Sequence, residues 1–218
     1  MAEDRRAYQR RSHEQRREAL ISATLDLLAE GGAQAATVRA IAARAGITAG
    51  LIRHYFQSKD DLSRAAYAAL MERMVEESVA ATEHVGTDPA ERLAAFVLVS
   101  LRPPVMDADR VRLWAGFLHL VQGDPMMRAV HQATYLGYRD RLQALIQSLP
   151  GHADPCRARA LSIACNAVID GLWLEGGTLP ESFATGEIEQ IGLCAISAIL
   201  GIPLPSLPEP NTNTTEVP

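Results

Sequence analysis

Residues 37–56 hold the pattern that most restricts how this chain can fold. Two short segments with apolar residues at helical spacing are separated by a glycine. Thr37 is a suitable N-cap for the first short helix, and Gly46 can adopt the left-handed conformation that ends it. Thr48 is a suitable cap for the second helix. Apolar contacts between the two helices would come from Ile41, Ile47 and Ile52. Two short helices joined by a tight turn predict a helix-turn-helix.

Apolar residues recur at helical spacing through the rest of the chain, in segments bounded by glycines and prolines that end helices. One helix is predicted at 13–30, ending at Gly31-Gly32. Ser58 and Asp61 form a capping box that opens a long helix ending before Gly86. Further helices are predicted at about 89–101, 107–121, 124–149, 154–176 and 186–200. The expected fold class is therefore all-α.

Charge is distributed unevenly along the sequence. Residues 1–64 carry eleven Lys and Arg against eight Asp and Glu, whereas the remainder carries ten against eighteen. A polyanion would therefore meet the N-terminal part and be repelled by the rest. A helix-turn-helix places its second helix in the major groove of DNA, so both features predict DNA binding. The arginines at 5–17 form either a phosphate-tracking arm or a solvated tail.

The stretch T-V-R-A-I-A-A-R-A-G-I-T-A-G-L-I-R-H-Y-F-Q-S-K-D-D-L, residues 37–62, resembles the DNA-binding signature of the TetR family of repressors. The shared positions are the initial Thr, Ile-Ala, Ala-Gly-Ile-Thr, the aromatic-Phe pair and the Lys three residues later. Arg53 is a departure, because the family commonly has Tyr before His54. A guanidinium there either forks onto a guanine or clamps a phosphate, and both alternatives stay open.

By position in the motif, the resemblance implies a set of DNA contacts. The groove-facing residues would be Arg39, Thr48, Ala49, Gly50 and Arg53, and the phosphate contacts would be Thr37, His54, Tyr55 and Lys59. Gly50 costs about 1 kcal/mol relative to Ala inside a helix. A face that lies against a sugar-phosphate backbone gives a reason for that glycine. Arg44 is expected to lie on a solvated helix face.

The resemblance also implies a domain organisation: a three-helix DNA-binding domain followed by a larger helical ligand-binding and dimerisation domain. We expect residues 1–57 to form the N-terminal arm and helix-turn-helix domain, 58–202 the effector-binding and dimerisation domain, and 203–218 a flexible Pro-rich tail. A dimer interface is predicted on a stripe of the last helix, together with a face of helix 154–176. The stripe consists of Ile188, Gly192, Ala195 and Ile199. Two-fold symmetry suits a palindromic operator.

Asn166, Asp170 and Trp173 share one face of a predicted apolar helix. A carboxylate and an indole together can bind an organic cation, the ring through its π face. Alternatively, Asp170 pairs within the bundle and Trp173 fills the core.

The I-D-G-L-W-L string, with R-H-Y-F and Ser58-Lys59, is similar to the BetI branch of the family. That similarity implies repression of choline-to-betaine genes and a response to choline.

Other aromatic side chains are candidates for the walls of an effector pocket: Phe96, Trp114, Phe117, Tyr135 and Tyr138. His119 and His131 are expected to be satisfied core groups. The three cysteines, Cys156, Cys165 and Cys194, have no metal-ligand spacing and are expected to be small buried residues in a reducing compartment.

The sequence contains no nucleophile elbow, phosphate-binding glycine loop, zinc spacing or paired carboxylates at catalytic spacing. We therefore expect neither an enzyme nor a bound metal or cofactor. A charged N-terminus and the absence of an apolar run near about 20 residues favour a cytoplasmic protein without a membrane partner. The expected partners are an operator in double-stranded DNA, a small-molecule effector and a second copy of the chain. The alternative is a helical ligand-binding or interaction protein whose helix-turn-helix no longer binds DNA specifically.

Overall fold

The structure, a computed structural model, describes the backbone of residues 2–83 and 85–206 and the side chains of residues 13–83 and 85–206. Within these ranges the chain forms nine α-helices and one short 3-10 helix, with no β-strand. The predicted all-α fold class is confirmed. Of the tail predicted at 203–218, residues 207–218 lie outside the described residues. The side chains of the arginines at 5, 6, 10 and 11 lie outside them too.

The helices follow one another in the order that the sequence predicts. They are α1 (Ala2–Ala35), α2 (Val38–Arg44), α3 (Ala49–Ile52), α4 (Lys59–Glu83), α5 (Pro89–Ser100), α6 (Ala108–Gly123), α7 (Pro125–Gln147), α8 (Pro155–Thr178) and α9 (Glu187–Leu200). The backbone of α1 begins at Ala2, well before the predicted start near residue 13. Its helical geometry breaks at Gly31 and Gly32, the predicted stop, where Gly32 has a φ of 66°.

Three helices begin at an Asp-Pro pair. The pairs are Asp88-Pro89 at α5, Asp124-Pro125 at α7 and Asp154-Pro155 at α8. Each aspartate accepts a hydrogen bond from a backbone N–H in the first turn, at distances of 3.0, 2.8 and 2.7 Å respectively. The proline has no N–H to leave unpaired and its fixed φ suits the first helical position. Local sequence therefore sets where these helices start.

The described chain packs as two compact units. The first unit contains the residues up to Glu76 together with Met106–Tyr138, and the second contains Glu77–Val105 together with the described residues from Arg139 onward. The packing boundary thus differs from the predicted functional boundary after residue 57, because the start of α4 and all of α6 pack with the N-terminal helices. The functional division stays a prediction.

The core of the first unit holds the helix-turn-helix in place. Ile41 is completely buried, Ile52 is nearly so, and Ile47 packs against the same core from a half-buried position. These are the contacts that the isoleucine spacing predicts. Leu113 and Phe117 of α6 belong to the same core. The short helices α2 and α3 are therefore fixed by tertiary packing rather than by their own length.

The second unit is organised around α5, α8 and α9. The inward face of α9 consists of Ile188, Gly192, Ile196 and Leu200. A Cβ added at Gly192 would overlap Cδ1 of Leu101, so a larger residue there would require the Leu101 side chain to shift. Two residues of the predicted dimer stripe, Ile188 and Gly192, are therefore occupied by packing within the chain, which corrects that part of the prediction.

The expectation that all three cysteines are buried is wrong for two of them. Cys165 is buried, and burial raises the pKa of its thiol to about 11. Cys156 and Cys194 are exposed, because their positions on α8 and α9 point away from the core of the second unit. Among the residues that the structure describes, no helix has both the length and the apolar character that crossing a membrane requires.

Candidate nucleic-acid interface and effector-binding residues

The helix-turn-helix is built from the local signals in residues 37–56. Thr37 caps α2, since its Oγ1 accepts a hydrogen bond from the N–H of Ala40 at 3.2 Å. Gly46 has a φ of 68°, the left-handed conformation predicted for the turn. Thr48 has the extended backbone of an N-cap, but its side chain makes no capping hydrogen bond. Thr48 is therefore the N-cap of α3, as predicted, through its backbone conformation and without a side-chain hydrogen bond.

The predicted DNA-contacting side chains lie almost entirely on the surface of the first unit. The exposed residues are Thr37, Arg39, Thr48, Ala49, Gly50, Arg53, His54 and Lys59. Tyr55 is half-buried, and its ring lies 4.6 Å from the ring of His13 in α1, measured between centroids. Surface positions on a helix-turn-helix are the ones that can meet a duplex. The contacts of each residue with DNA stay predictions.

The cationic residues of this surface fall into two kinds. Among the described residues, Arg39, Arg53 and Lys59 have no carboxylate partner. Arg44, predicted to be a solvated surface residue, is exposed but forms a two-pronged ion pair with Glu30. Its Nη1 and Nη2 donate to the Glu30 carboxylate oxygens at 2.8 and 2.7 Å. These hydrogen bonds hold the pKa of Glu30 below its usual value.

Sequence reasoning missed two contacts that join α1 to other helices of the first unit. The guanidinium of Arg17 lies 5.3 Å from the centre of the Phe56 ring, at the end of the helix-turn-helix. Arg112 of α6 donates from Nη1 to the backbone oxygen of Ala29 at 2.7 Å. No motif marks either residue, because both contacts join positions far apart in the sequence. Together they tie α1 to α6 and to the segment after α3.

Several of the aromatic candidates for an effector pocket lie in the first unit. Phe117 is buried and packs on Tyr67 with ring centroids 4.8 Å apart, while Trp114, Tyr135 and Tyr138 are half-buried. Tyr67, which the sequence did not single out, is fully buried; its hydroxyl lies 2.6 Å from His131 Nδ1. Burial raises the pKa of Tyr67 and lowers the pKa of His131.

The two histidines expected in the core differ. His131 is half-buried and stacks on Tyr135 with ring centroids 5.0 Å apart, so it behaves as a satisfied interior group. His119 is exposed on α6, which makes the core expectation wrong for that residue. His119 lies on the side of α6 that faces solvent.

The remaining effector candidates lie in the second unit and are engaged in its internal structure. Asn166 Nδ2 donates to Asp170 Oδ2 at 2.9 Å, one helical turn along α8. The indole N–H of Trp173 donates to the backbone oxygen of Val105 at 3.1 Å. Phe96 is completely buried in α5. These contacts favour the structural alternative for Trp173, whereas Asp170 remains only half-buried.

The outer faces of α8 and α9 carry several apolar side chains that are exposed to solvent. Ile163 and Leu174 of α8 are 38% and 46% exposed, and Ile191 of α9 is 42% exposed. Between the two α8 residues lie the exposed small residues Ala164, Ala167 and Gly171. Ala195 and Ile199 of the predicted stripe are half-buried. Small residues between exposed branched ones suit close packing of one helix on another.

The fold and the surface of the first unit define a helical protein that presents a helix-turn-helix to DNA. Comparison with known proteins gives its family. Residues 20–66 match the model for bacterial regulatory proteins of the tetR family, and residues 89–201 match the model for the C-terminal part of BetI-type transcriptional repressors. The chain belongs to the TetR family of transcriptional regulators, in its BetI-like branch, and is a DNA-binding regulator.

Individual relatives agree with this assignment. The chain is 30% identical over 168 residues to the HTH-type transcriptional regulator BetI of Stenotrophomonas maltophilia, covering 77% of this chain and 84% of that protein. A protein of Pseudomonas aeruginosa PAO1 assigned to the transcriptional regulators has a TM-score of 0.76 and 33% identity, over 86% of this chain and 91% of that one. A Saccharomonospora viridis protein in complex with choline has a TM-score of 0.67 and 20% identity, over 81% and 92%.

The family consists of regulators rather than enzymes. Its members bind DNA operators and small-molecule effectors and usually dimerise. These findings support a DNA-binding regulator over the alternative of a ligand-binding protein whose helix-turn-helix no longer binds DNA specifically.

Proposed function

We propose that the protein is a homodimeric repressor of the cytoplasm that binds a palindromic operator and is released from it by a small organic cation of the choline type. The observation that carries the proposal is the helix-turn-helix surface. It presents Arg39, Arg53 and Lys59 to solvent without a carboxylate partner in the described chain. The nearby Arg44 is held by Glu30 instead. Unpaired cations at the motif positions suit a polyanionic partner.

Each helix-turn-helix would serve one half-site. The N-terminal part of α3, with Thr48, Ala49 and Gly50, would enter the major groove, while Arg39 reaches in from α2. Thr37, His54, Tyr55 and Lys59 would hold phosphates and fix the register of the head on the duplex. Arg53 would bind either a guanine edge or a phosphate. A Cβ added at Gly50 meets nothing within 4 Å in the protein, so its small size is better explained by close approach to DNA.

The dimer would form through the outer faces of α8 and α9. Exposed apolar side chains there, Ile163, Leu174 and Ile191, would be removed from water in a four-helix contact with a second copy. Ala195 and Ile199 would lie at its edge. Ile188 and Gly192 would support the interface from within the chain. The two-fold axis would then relate the two heads, as a palindrome requires.

The effector would act by population shift: it would bind best to a conformation in which the two heads no longer match the operator half-sites. Support for a choline-type cation comes from the BetI relatives and from the carboxylate of Asp170, which is half-buried on α8. A quaternary ammonium also suits aromatic surroundings. Each unit by itself offers aromatic candidates: Trp114, Phe117, Tyr135 and Tyr138 lie in the first unit, and Phe96 and Trp173 lie in the second.

The DNA part of the proposal is tested by fluorescence anisotropy with a labelled duplex from the promoter region beside the gene and a scrambled duplex of equal length. At moderate salt, we expect the natural duplex to bind at least a hundredfold more tightly, since specific and non-specific binding usually differ by 10³ or more. Equal affinity for both duplexes would refute the repressor assignment. Light scattering on the free protein and the complex gives the number of chains.

The effector part is tested on the same complex with choline and, as a matched control, ethanolamine, which lacks the three methyl groups. We expect choline at millimolar concentration to release the duplex and ethanolamine to be much weaker, because the methyl groups create the cation–π surface. Asp170→Asn should blunt release, whereas Glu175→Gln, an exposed change on the same helix, should leave it intact. No release by choline would exclude the cation while leaving operator binding untouched.

A further inference from the structure

A cleft in the second unit, between α4, α5 and α7, brings arginines and apolar side chains together, and of its lining residues only Phe96 is also an effector candidate. Its volume is about 250 Å³. The lining includes two arginines, Arg92 on α5 and Arg141 on α7. It also includes Phe96, which is completely buried in α5, and the half-buried Val79 and Leu145. The lining of the cleft therefore combines two cationic side chains with an apolar surface.

The two arginines have no carboxylate partner among the residues that the structure describes. Acidic residues outnumber arginines in the second unit, so partners of the right charge are not scarce. Arg102, elsewhere in this unit, does pair with Glu189, with 3.0 Å between Nε and Oε1. The acids next in sequence to the two cleft arginines are Glu91 and Asp140, and adjacent positions on a helix do not face each other.

The hydroxyl groups in the lining limit the ligand further. Thr82 Oγ1 donates its proton to the backbone oxygen of Val79 at 2.7 Å, and Ser148 Oγ donates to that of Leu145 at 2.6 Å. Both hydroxyls therefore offer only lone pairs to the cleft. The N–H donors for a bound molecule come from the guanidiniums, whose forked geometry matches a carboxylate.

We propose that this cleft binds a small organic carboxylate with a short apolar chain. The carboxylate lies between Arg92 and Arg141, and the chain lies against Phe96 and Leu145. A volume of about 250 Å³ is below the usual range of about 300–1,000 Å³ for sites of drug-sized ligands, so the chain must be short. The ligand is an anion whereas choline is a cation, so binding to this cleft is tested separately from any response to choline.

The test uses the full chain without DNA and measures binding by titration calorimetry. The probe is hexanoate; hexylammonium and hexan-1-ol carry the same chain with opposite or no charge. We expect hexanoate to bind at millimolar concentration or below, and the two controls to bind at least tenfold more weakly. Arg92→Gln and Arg141→Gln should each weaken hexanoate about tenfold, the usual effect of losing one charge-assisted contact. Arg157→Gln, an exposed change on α8, should have no effect.

A second variant separates a shaped site from a general attraction of anions. Ala144→Phe fills the cleft from an exposed position on α7 without changing charge, and should abolish hexanoate binding while circular dichroism stays unchanged. The proposal is overturned if the wild type does not bind hexanoate at millimolar concentration, if the three probes bind equally, or if the glutamine variants or Ala144→Phe bind hexanoate as the wild type does.

Discussion

The helix-turn-helix surface and the polar face of α8 were both predicted to bind a partner, and the structure treats them differently. On the first, Arg39, Arg53 and Lys59 are exposed and have no ionic partner in the described chain. On the second, Asn166 donates to Asp170 and Trp173 donates to Val105. The three cationic side chains of the first surface are left unused by the fold, whereas the side chains of the second are part of its internal hydrogen bonding.

The difference shows what kind of evidence each prediction needs. A surface side chain with no role in folding is naturally explained by an external partner, because nothing inside the chain requires it. A buried polar side chain has to be hydrogen-bonded whether or not a ligand exists. The hydrogen bonds of Trp173 and Asn166 are therefore explained by their burial, without a ligand.

The largest effect is expected for Trp173→Ala. Removing a buried indole and the donor to the Val105 oxygen should cost about 3–5 kcal/mol of unfolding free energy, because a cavity and an unsatisfied carbonyl remain. Urea unfolding followed by circular dichroism measures the loss. A stable variant that has lost its response to choline would instead place Trp173 in the effector site. The α8 face would then bind a partner, as the helix-turn-helix surface is proposed to do.

Arg53→Ala should weaken binding to the natural operator about 10- to 100-fold, the value of one bidentate base contact at about 1–3 kcal/mol. Stability should not change, since the side chain is exposed. Arg44→Ala is the matched control, because its guanidinium is already held by Glu30. Anisotropy titrations with the natural and scrambled duplexes decide between the two roles of Arg53. An equal loss on both would assign it to phosphate rather than base.

The two glycines of the motif should respond in opposite directions. Gly46→Ala should destabilise the first unit by about 1–2 kcal/mol, since its φ of 68° strains any residue with a Cβ. Gly50→Ala should raise stability by about 0.5–1 kcal/mol, because the added Cβ meets open space. Thermal unfolding checks both signs. Gly50→Ala should nonetheless lower operator affinity, and unchanged affinity would contradict a close approach of DNA at this position.

The smallest effect is expected for Glu30→Gln, which breaks the exposed pair with Arg44. The pKa of Glu30 is lowered in the folded protein, mainly by the hydrogen bonds from Arg44. The pair therefore contributes stability above the ordinary glutamate pKa, and this contribution disappears as pH falls through the lowered folded-state pKa. Melting curves should show a slightly less stable variant at neutral pH and should converge with the wild type in acid. A constant difference across this range would exclude an ionic origin.

Local sequence determined where the helices begin and end and where the DNA-reading motif lies. Asp-Pro pairs, the Gly31-Gly32 break and the capping box at Ser58 act within a few residues, so their effect does not depend on distant parts of the chain. The helix-turn-helix was predictable for the same reason: its turn, its cap and its isoleucine spacing are all contained in about twenty residues. Thr48 is the N-cap of α3 as predicted, although its side chain makes no capping hydrogen bond.

Only the tertiary structure decided which faces of the later helices were available to a partner. The stripe on α9 has the right period for an interface, but Leu101 packs against Gly192 and turns half of that stripe inward. The same applies to the Val105 oxygen, which accepts a hydrogen bond from the indole N–H of Trp173, and to the Ala29 oxygen, which accepts one from Arg112. The spacing of apolar and polar residues along a helix indicates whether a face is apolar or polar. It does not state which distant residue will meet that face, because this depends on contacts formed across the fold.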